Sequence, residues 1–214
     1  VSERTPVGVL VSGAGTNLDA LLHACRDPDF PARVSLVVSN RRSAHALDVA
    51  LGWGVPAVAL PQSDFGGDPA ARDREIRARF EEAGVRLVVC AGYDRILSEA
   101  FLDAYPDAIL NVHPSLLPAF AGGMDAIERA LARGVRVTGC TVQLLERGEA
   151  DGGPIVLQAA VPVEMDDDAQ TLRRRIHERE WELLPKAVAL WCTDRLKREG
   201  HRIRVLPAPA TAPV

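Results

Sequence analysis

Several scarcities in this sequence each remove a class of function. Its four cysteines, Cys25, Cys90, Cys140 and Cys192, include no C-x-x-C pair, so neither a zinc site nor a disulfide framework is suggested. They read as small buried apolar residues in a reducing compartment. Basic residues are not in excess, since 25 Lys and Arg against 29 Asp and Glu leave a net charge of −4. Without a basic stripe there is no counterion-releasing surface for nucleic acid. No apolar run approaches the roughly 18 to 20 residues of a membrane span. The first such run, 7–11, has neither a basic leader nor a cleavage site, so a cytoplasmic protein is expected, with no membrane or nucleic-acid partner and no metal. What remains is 214 residues, 47% of them hydrophobic, enough to bury one sizeable core.

Near-unbroken apolar runs alternate with amphipathic stretches along the first half of the chain. The pattern predicts strands at 7–12, 34–39, 57–60, 87–90 and 109–113, and helices at 17–25, 44–51, 69–83 and 98–105. That alternation specifies an α/β fold: a mostly parallel, twisted sheet with helices on both faces, Rossmann-like in its N-terminal half. From Val137 the rhythm changes, and 137–145 and 154–161 read as antiparallel strands around a Gly/Asp-rich turn. Residues 168–197 read as one long C-terminal helix, interrupted or kinked near Pro185. The Pro/Ala-rich segment 207–214 is expected to be an extended tail. Ligands of an open parallel sheet bind beyond the carboxyl ends of its strands, so the residues following Ser12, Cys90 and Leu110 are the first candidates.

The loop from Ser12 to Leu18 lies between a predicted strand and a predicted helix and contains Gly13, Gly15, Thr16 and Asn17. Its amides and the helix N-terminus could hold a phosphate; the plainer alternative is a tight turn with Thr16 or Asn17 as the helix cap. Leu18 stands where G-x-G-x-x-G needs glycine, no G-K-[ST] follows, and Ser39-Asn40-Arg41 lacks the acid that holds a dinucleotide ribose. Further on, Asn111 and His113 end an apolar run two residues apart, so an extended chain projects both from one face. An amide N–H and an imidazolium are both donors, suited to an oxygen that becomes negative as a carbonyl is attacked. Asp151, in Asp151-Gly152-Gly153-Pro154, is either a turn residue or the carboxylate that would orient the ring and favour its charged form.

In this order, S-G-x-G-[ST]-N-L, G-[YF]-x-R-I-L, N-x-H-P-S-L-L-P and D-G-G-P-I resemble the phosphoribosylglycinamide formyltransferases, folate-dependent enzymes of purine biosynthesis, over about 7–197. The resemblance implies the formyltransferase fold and one domain over 1–206, with 1–105 binding the phosphorylated substrate and 106–206 carrying folate binding and catalysis. It implies that Gly15, Thr16 and Asn17 hold the substrate phosphate and that Glu180 faces the glycinamide substrate. Folate contacts fall on Asp94, Arg95, Ile96, Leu97, Asn111, Glu146 and Asp151, with 146–151 closing over the pteridine. Asn111, His113 and Asp151 become the catalytic group for transfer from 10-formyltetrahydrofolate to the amine of phosphoribosylglycinamide, by direct attack and with no metal. The partners implied are these two small molecules, and a monomer or homodimer is expected.

The chain departs from the family pattern at four places. Pro69 replaces a common arginine near the folate tail, with Arg72 as candidate substitute. Asp94 replaces the usual Met. The segment 121–125 has an extra glycine, implying a looser lid, and Gln143 and Trp181 stand where histidines are common. Two rival functions share these features: a 10-formyltetrahydrofolate hydrolase, which gives the formyl group to water, and a nucleotide-binding oxidoreductase module on the same architecture.

Overall fold

The computed structural model describes residues 3–208. In chain order its elements begin with β1 (Thr5–Val11), α1 (Thr16–Ala24), β2 (Ala32–Ser39), α2 (His45–Gly52), β3 (Ala57–Ala59) and a 3-10 turn at Gln62–Phe65. They continue with α3 (Pro69–Glu82), β4 (Leu87–Cys90), α4 (Glu99–Ala104), β5 (Ile109–His113) and α5 (Ala126–Arg133). The last are β6 (Val137–Leu144), β7 (Ile155–Pro162), α6 (Ala169–Cys192), β8 (Leu196–Glu199) and β9 (Arg202–Val205).

Among the described residues nine strands form one sheet in the order β3-β2-β1-β4-β5-β6-β7-β9-β8. The first five are parallel where they pair. After β3 the chain crosses back to place β4 on the free side of β1, so the strand order reverses between β1 and β4 and a crevice opens at their carboxyl ends. β6 then runs antiparallel to β5, and β7 antiparallel to β6.

Alternation along the strands feeds two cores. Val7, Val9 and Val11 of β1 pack with Leu18, Leu21 and Leu22 of α1 and with Leu184, Ala187 and Val188 of α6 on one face. Leu10, Val88 and Ile109 pack with Ile76 and Phe80 of α3 and Phe101 of α4 on the other. Each fully buried Leu, Ile or Phe is worth roughly 1.5–3 kcal/mol relative to an exposed one. Helices on both faces are therefore what keep the parallel strands out of water. Cys90 lies in the second core and Cys140 in a smaller cluster with Ile127, Leu172 and Ile176, both as free thiols, and burial pushes both up to about 12. Such thiols are inert at neutral pH.

The structure differs from the sequence expectation at the C-terminal end and before β6. Helix α6 begins at a capping box formed by Asp168 and Thr171 and continues through Pro185, but it stops at Cys192. Asp194 adopts a left-handed φ of 53°, and 196–205 forms a hairpin in place of the last helical turn. Arg202-Ile203-Arg204-Val205 alternates with the period of a strand, a signal too short to stand out beside the long helical pattern. Helix α5 was not expected; Ile127 and Ala130 bury its inner face against α6 and β6. Of the tail 207–214, residues 209–214 lie outside the described ones.

Candidate functional site

Strand β5 ends in the crevice, with Asn111 half-buried and His113 5% exposed. The Asp151 carboxylate meets both. His113 Nδ1 lies 3.3 Å from Asp151 Oδ2, and Asn111 Nδ2 donates to Oδ1 at a long 3.4 Å. Two further donors complete the cage: Gln143 Nε2 to Oδ1 at 2.9 Å and the Gly122 N–H to Oδ2 at 2.9 Å. His113 Nε2 faces the Phe120 carbonyl at 3.1 Å. Each ring nitrogen of His113 therefore faces an oxygen acceptor.

Asp151 reaches this position because Gly153, just before β7, lies tight against β6. A Cβ on Gly153 would fall 1.9 Å from the Leu144 carbonyl oxygen, closer than any real contact. The D-G-G-P run is thus a close approach of two backbones that delivers a carboxylate, as well as a turn. Asp151 itself takes a left-handed φ of 57°, an uncommon state for a non-glycine residue.

The phosphate-loop residues lie where β1 meets α1. Gly15, at φ 82°, is the N-cap of α1 and presents no side-chain cap, so neither Thr16 nor Asn17 caps the helix. A Cβ on Gly15 would sit 2.7 Å from Ala46 Cα of α2, so the loop closes only around glycine. The first intrahelical bond runs from Asp19 N–H to the Gly15 carbonyl at 2.8 Å. This leaves the amides of Thr16, Asn17 and Leu18 without intrahelical partners, the arrangement that attracts an anion. Thr16 is exposed. Asn17 is buried and donates through Nδ2 to Glu180 Oε2 at 2.8 Å, while its Oδ1 is buried without a partner. Burial pushes the Glu180 carboxyl up to about 7, and the Asn17 hydrogen bond opposes that rise.

The 94–97 segment divides. The Asp94 side chain does not face outward: Ser12 Oγ and Asn40 Nδ2 donate to its Oδ1 at 3.0 and 2.8 Å, and Arg41 holds Oδ2. The Asp94 N–H returns a bond to Ser12 Oγ at 2.9 Å. Asp94 therefore ties the ends of β1 and β2 to the loop after β4. Arg95 and Ile96 are exposed, Ile96 to 84%. Leu97 instead packs its side chain into the second core, leaving only its backbone for a ligand.

Burial and pairing bear on three further expectations. Arg72 does not stand in for the arginine missing at Pro69. It is completely buried beside Asp73 at 2.8 Å, because α3 turns it inward, and Asp73 Oδ2 in turn accepts the Ser98 N–H at 2.6 Å. Glu146 is engaged by Arg198 Nη2 of β8 at 2.5 Å, so it anchors the start of the 146–151 loop to the C-terminal hairpin. The segment 121–125 is not loose, since Arg129 of α5 collects the carbonyls of Phe120, Ala121 and Gly122.

Sequence reasoning missed Asn40, Arg129 and the role of Gln143. Gln143 stands where histidines are common, yet it is fully buried and keeps a donor on Asp151. Its position directly opposite Asn111 on the β5–β6 ladder was the available signal, and it depended on register. Among the described residues no group of three His, Cys, Asp or Glu is placed to hold a metal ion, and no helix is long and apolar enough to cross a membrane.

Residues 6–188 match the formyl transferase family, and the chain belongs to that family. It is 35% identical over 195 residues to a phosphoribosylglycinamide formyltransferase of Haemophilus influenzae, covering 91% of each. It is similar as well to the trifunctional purine biosynthetic protein adenosine-3 of Gallus gallus, 40% identical over 88% of this chain, of which it spans 18%. The crystal structure of glycinamide ribonucleotide transformylase 1 from Symbiobacterium toebii superposes with a TM-score of 0.92, at 43% identity over 97% of this chain and 96% of that one.

Proposed function

We propose that this chain transfers the formyl group of 10-formyltetrahydrofolate to the amine of 5'-phosphoribosylglycinamide, giving the N-formyl product. The relatives and the solved structure it resembles support the reaction. The observation that carries the residue assignment is the contact of the Asp151 carboxylate with His113 Nδ1 at 3.3 Å, with Asn111 on the same strand facing the same carboxylate.

The amine nitrogen adds to the formyl carbon, and the carbonyl oxygen takes the negative charge. Asn111 holds that oxygen together with the Nδ1–H of protonated His113, which at 3.3 Å from Asp151 can be shared with it. The long 3.4 Å bond from Asn111 to Asp151 is near the limit of a hydrogen bond and is cheaply surrendered to it. Asp151 orients the ring and helps pass a proton from the attacking nitrogen to N10 as the carbon–N10 bond breaks. No side chain acts as a nucleophile. Exposed Ile96 and Met124, the latter 68% exposed, offer apolar surface for a flat ring, and Thr16 with the free amides of α1 suits the substrate phosphate. Asn17 and Glu180 lie beside that loop and face the glycinamide end. Holding the reactants together supplies effective molarities of about 10⁵ M or more.

The test is to mix the protein with 10-formyltetrahydrofolate and phosphoribosylglycinamide and follow deformylated folate and formylated product together. Equal appearance of both supports transfer, and folate release without the amine points to water as acceptor. His113→Ala or Asn111→Ala should lower turnover about 10²- to 10³-fold while the fold persists. Near wild-type turnover in His113→Ala would remove the mechanism.

A further inference from the structure

Both contacts that the 120–122 segment makes with the catalytic group depend on a backbone with little else to hold it. Phe120 has φ 57°, and Gly122 and Gly123 have φ 70° and 89°. Phe120 offers its carbonyl to His113 Nε2, and Gly122 offers its N–H to Asp151. On the other side of the segment lies an open groove of about 560 Å³ lined by Pro118, Phe120, Ala121, Arg129, Ala132 and Arg133. No packed core backs the loop there.

Arg129 holds it. Its Nη2 meets the carbonyl oxygens of Phe120, of Ala121 at 3.1 Å and of Gly122 at 2.8 Å. Its guanidinium lies 5.9 Å from the centre of the Phe120 ring, and Nε is 3.2 Å from Asp125 Oδ1. Three carbonyls turned to one side need a donor there, since no strand or helix partner supplies one. Arg129 stands on a firm base: Ile127 and Ala130 bury α5, and Glu128 pairs with Arg173 of α6 at 2.6 Å.

We propose that Arg129 is a positioning residue for the catalytic imidazole: by gathering three carbonyls it presses the Phe120 carbonyl onto His113 Nε2 and so fixes the ring with Nδ1 toward Asp151. Its kinetic consequence rests on the formyl-transfer reading; its effect on the ring does not. Arg129→Met removes the donors and keeps the length of the side chain. The expected result is a kcat lower by about 10- to 100-fold, the scale of a small misplacement of a catalytic group, with KM for both substrates within about threefold. Because the carbonyls meet a single nitrogen, an ammonium with its three donors can replace it, and Arg129→Lys should recover most of the loss.

The direct readout is nitrogen-detected NMR of the five histidine rings in the intact chain. In Arg129→Met the His113 ring N–H signal should broaden or vanish while those of His23, His45, His177 and His201 stay in place, and in Arg129→Lys it should return. An unchanged His113 signal in Arg129→Met overturns the proposal, as does an equal disturbance of all five rings or equal damage from Met and Lys. If wild type shows no formyl transfer yet its His113 signal depends on Arg129, the reaction reading fails and the positioning role stands.

Discussion

Asn111 and Gln143, direct partners across the β5–β6 ladder, aim both their amides at one atom, Asp151 Oδ1, at 3.4 and 2.9 Å. The shorter bond belongs to Gln143, so this residue fixes the carboxylate and leaves Asn111 free to turn to a substrate. Gln143→Leu removes a hydrogen bond to a charged group, a loss of about 1.5–3 kcal/mol. If it falls on the transition state, turnover drops roughly 10- to 100-fold. Gln143→His, which keeps a donor, should lose far less. Steady-state kinetics on the two variants decide it, and equal losses would show that the donor is unimportant.

Glu180 makes stability depend on pH. Its carboxyl is raised from 4.5 to about 7 by burial, against the Asn17 hydrogen bond. The folded state therefore binds this proton more tightly than the unfolded state. The stabilisation is complete below about 4.5, is lost as pH rises toward about 7, and changes no further above that. Glu180→Gln keeps an acceptor for Asn17 and carries no charge, so its Tm advantage over wild type should grow between pH 5 and pH 8. A constant difference across that range would contradict the assignment.

Asp94 is a structural tie that also sets the loop carrying Arg95 and Ile96. Asp94→Met leaves buried Asn40 Nδ2 short of an acceptor, while Ser12 Oγ keeps Asn40 Oδ1 at 2.7 Å, at a cost of about 1–3 kcal/mol. The urea midpoint should fall with the slope m unchanged. In the transfer assay KM for the folate should rise more than KM for the amine substrate, because Asp94 holds the loop proposed to face the folate.

Gly153→Ala places a methyl group 1.9 Å from the Leu144 carbonyl oxygen. The backbones must separate, with an overpacking cost of about 1–3 kcal/mol, and Asp151 moves with them. Thermal unfolding should show the lower Tm, and activity should fall further than stability alone accounts for. A variant with wild-type Tm would mean that the strands part without strain.

Much of the site could be read along the chain because its parts lie at strand ends. Asn111 and His113 share a face through the two-residue period of β5, and the Gly15 loop joins an apolar run to an amphipathic helix. What could not be read was how parts distant in sequence meet. Arg72 looked available because it lies one helical turn from Pro69, yet α3 buries it beside Asp73. Leu97 packs its side chain into the core and leaves its backbone for a ligand. A looser lid was expected from an extra glycine, and Arg129 offsets that freedom from a helix that was not expected at all.

By itself the sequence determined the alternation of strands and helices, the parallel sheet covered on both faces, and the residue types able to hold an oxyanion. Those follow from periodicity and side-chain chemistry, which are local. Only the tertiary structure decided that Asp151 lies between Asn111, His113, Gln143 and Gly122, and that Asn17 meets Glu180 across 163 positions of the chain. Such contacts depend on register, on backbones brought close at Gly153 and Gly15, and on which face of each helix is buried. Those are properties of elements packed together, and no single segment carries them.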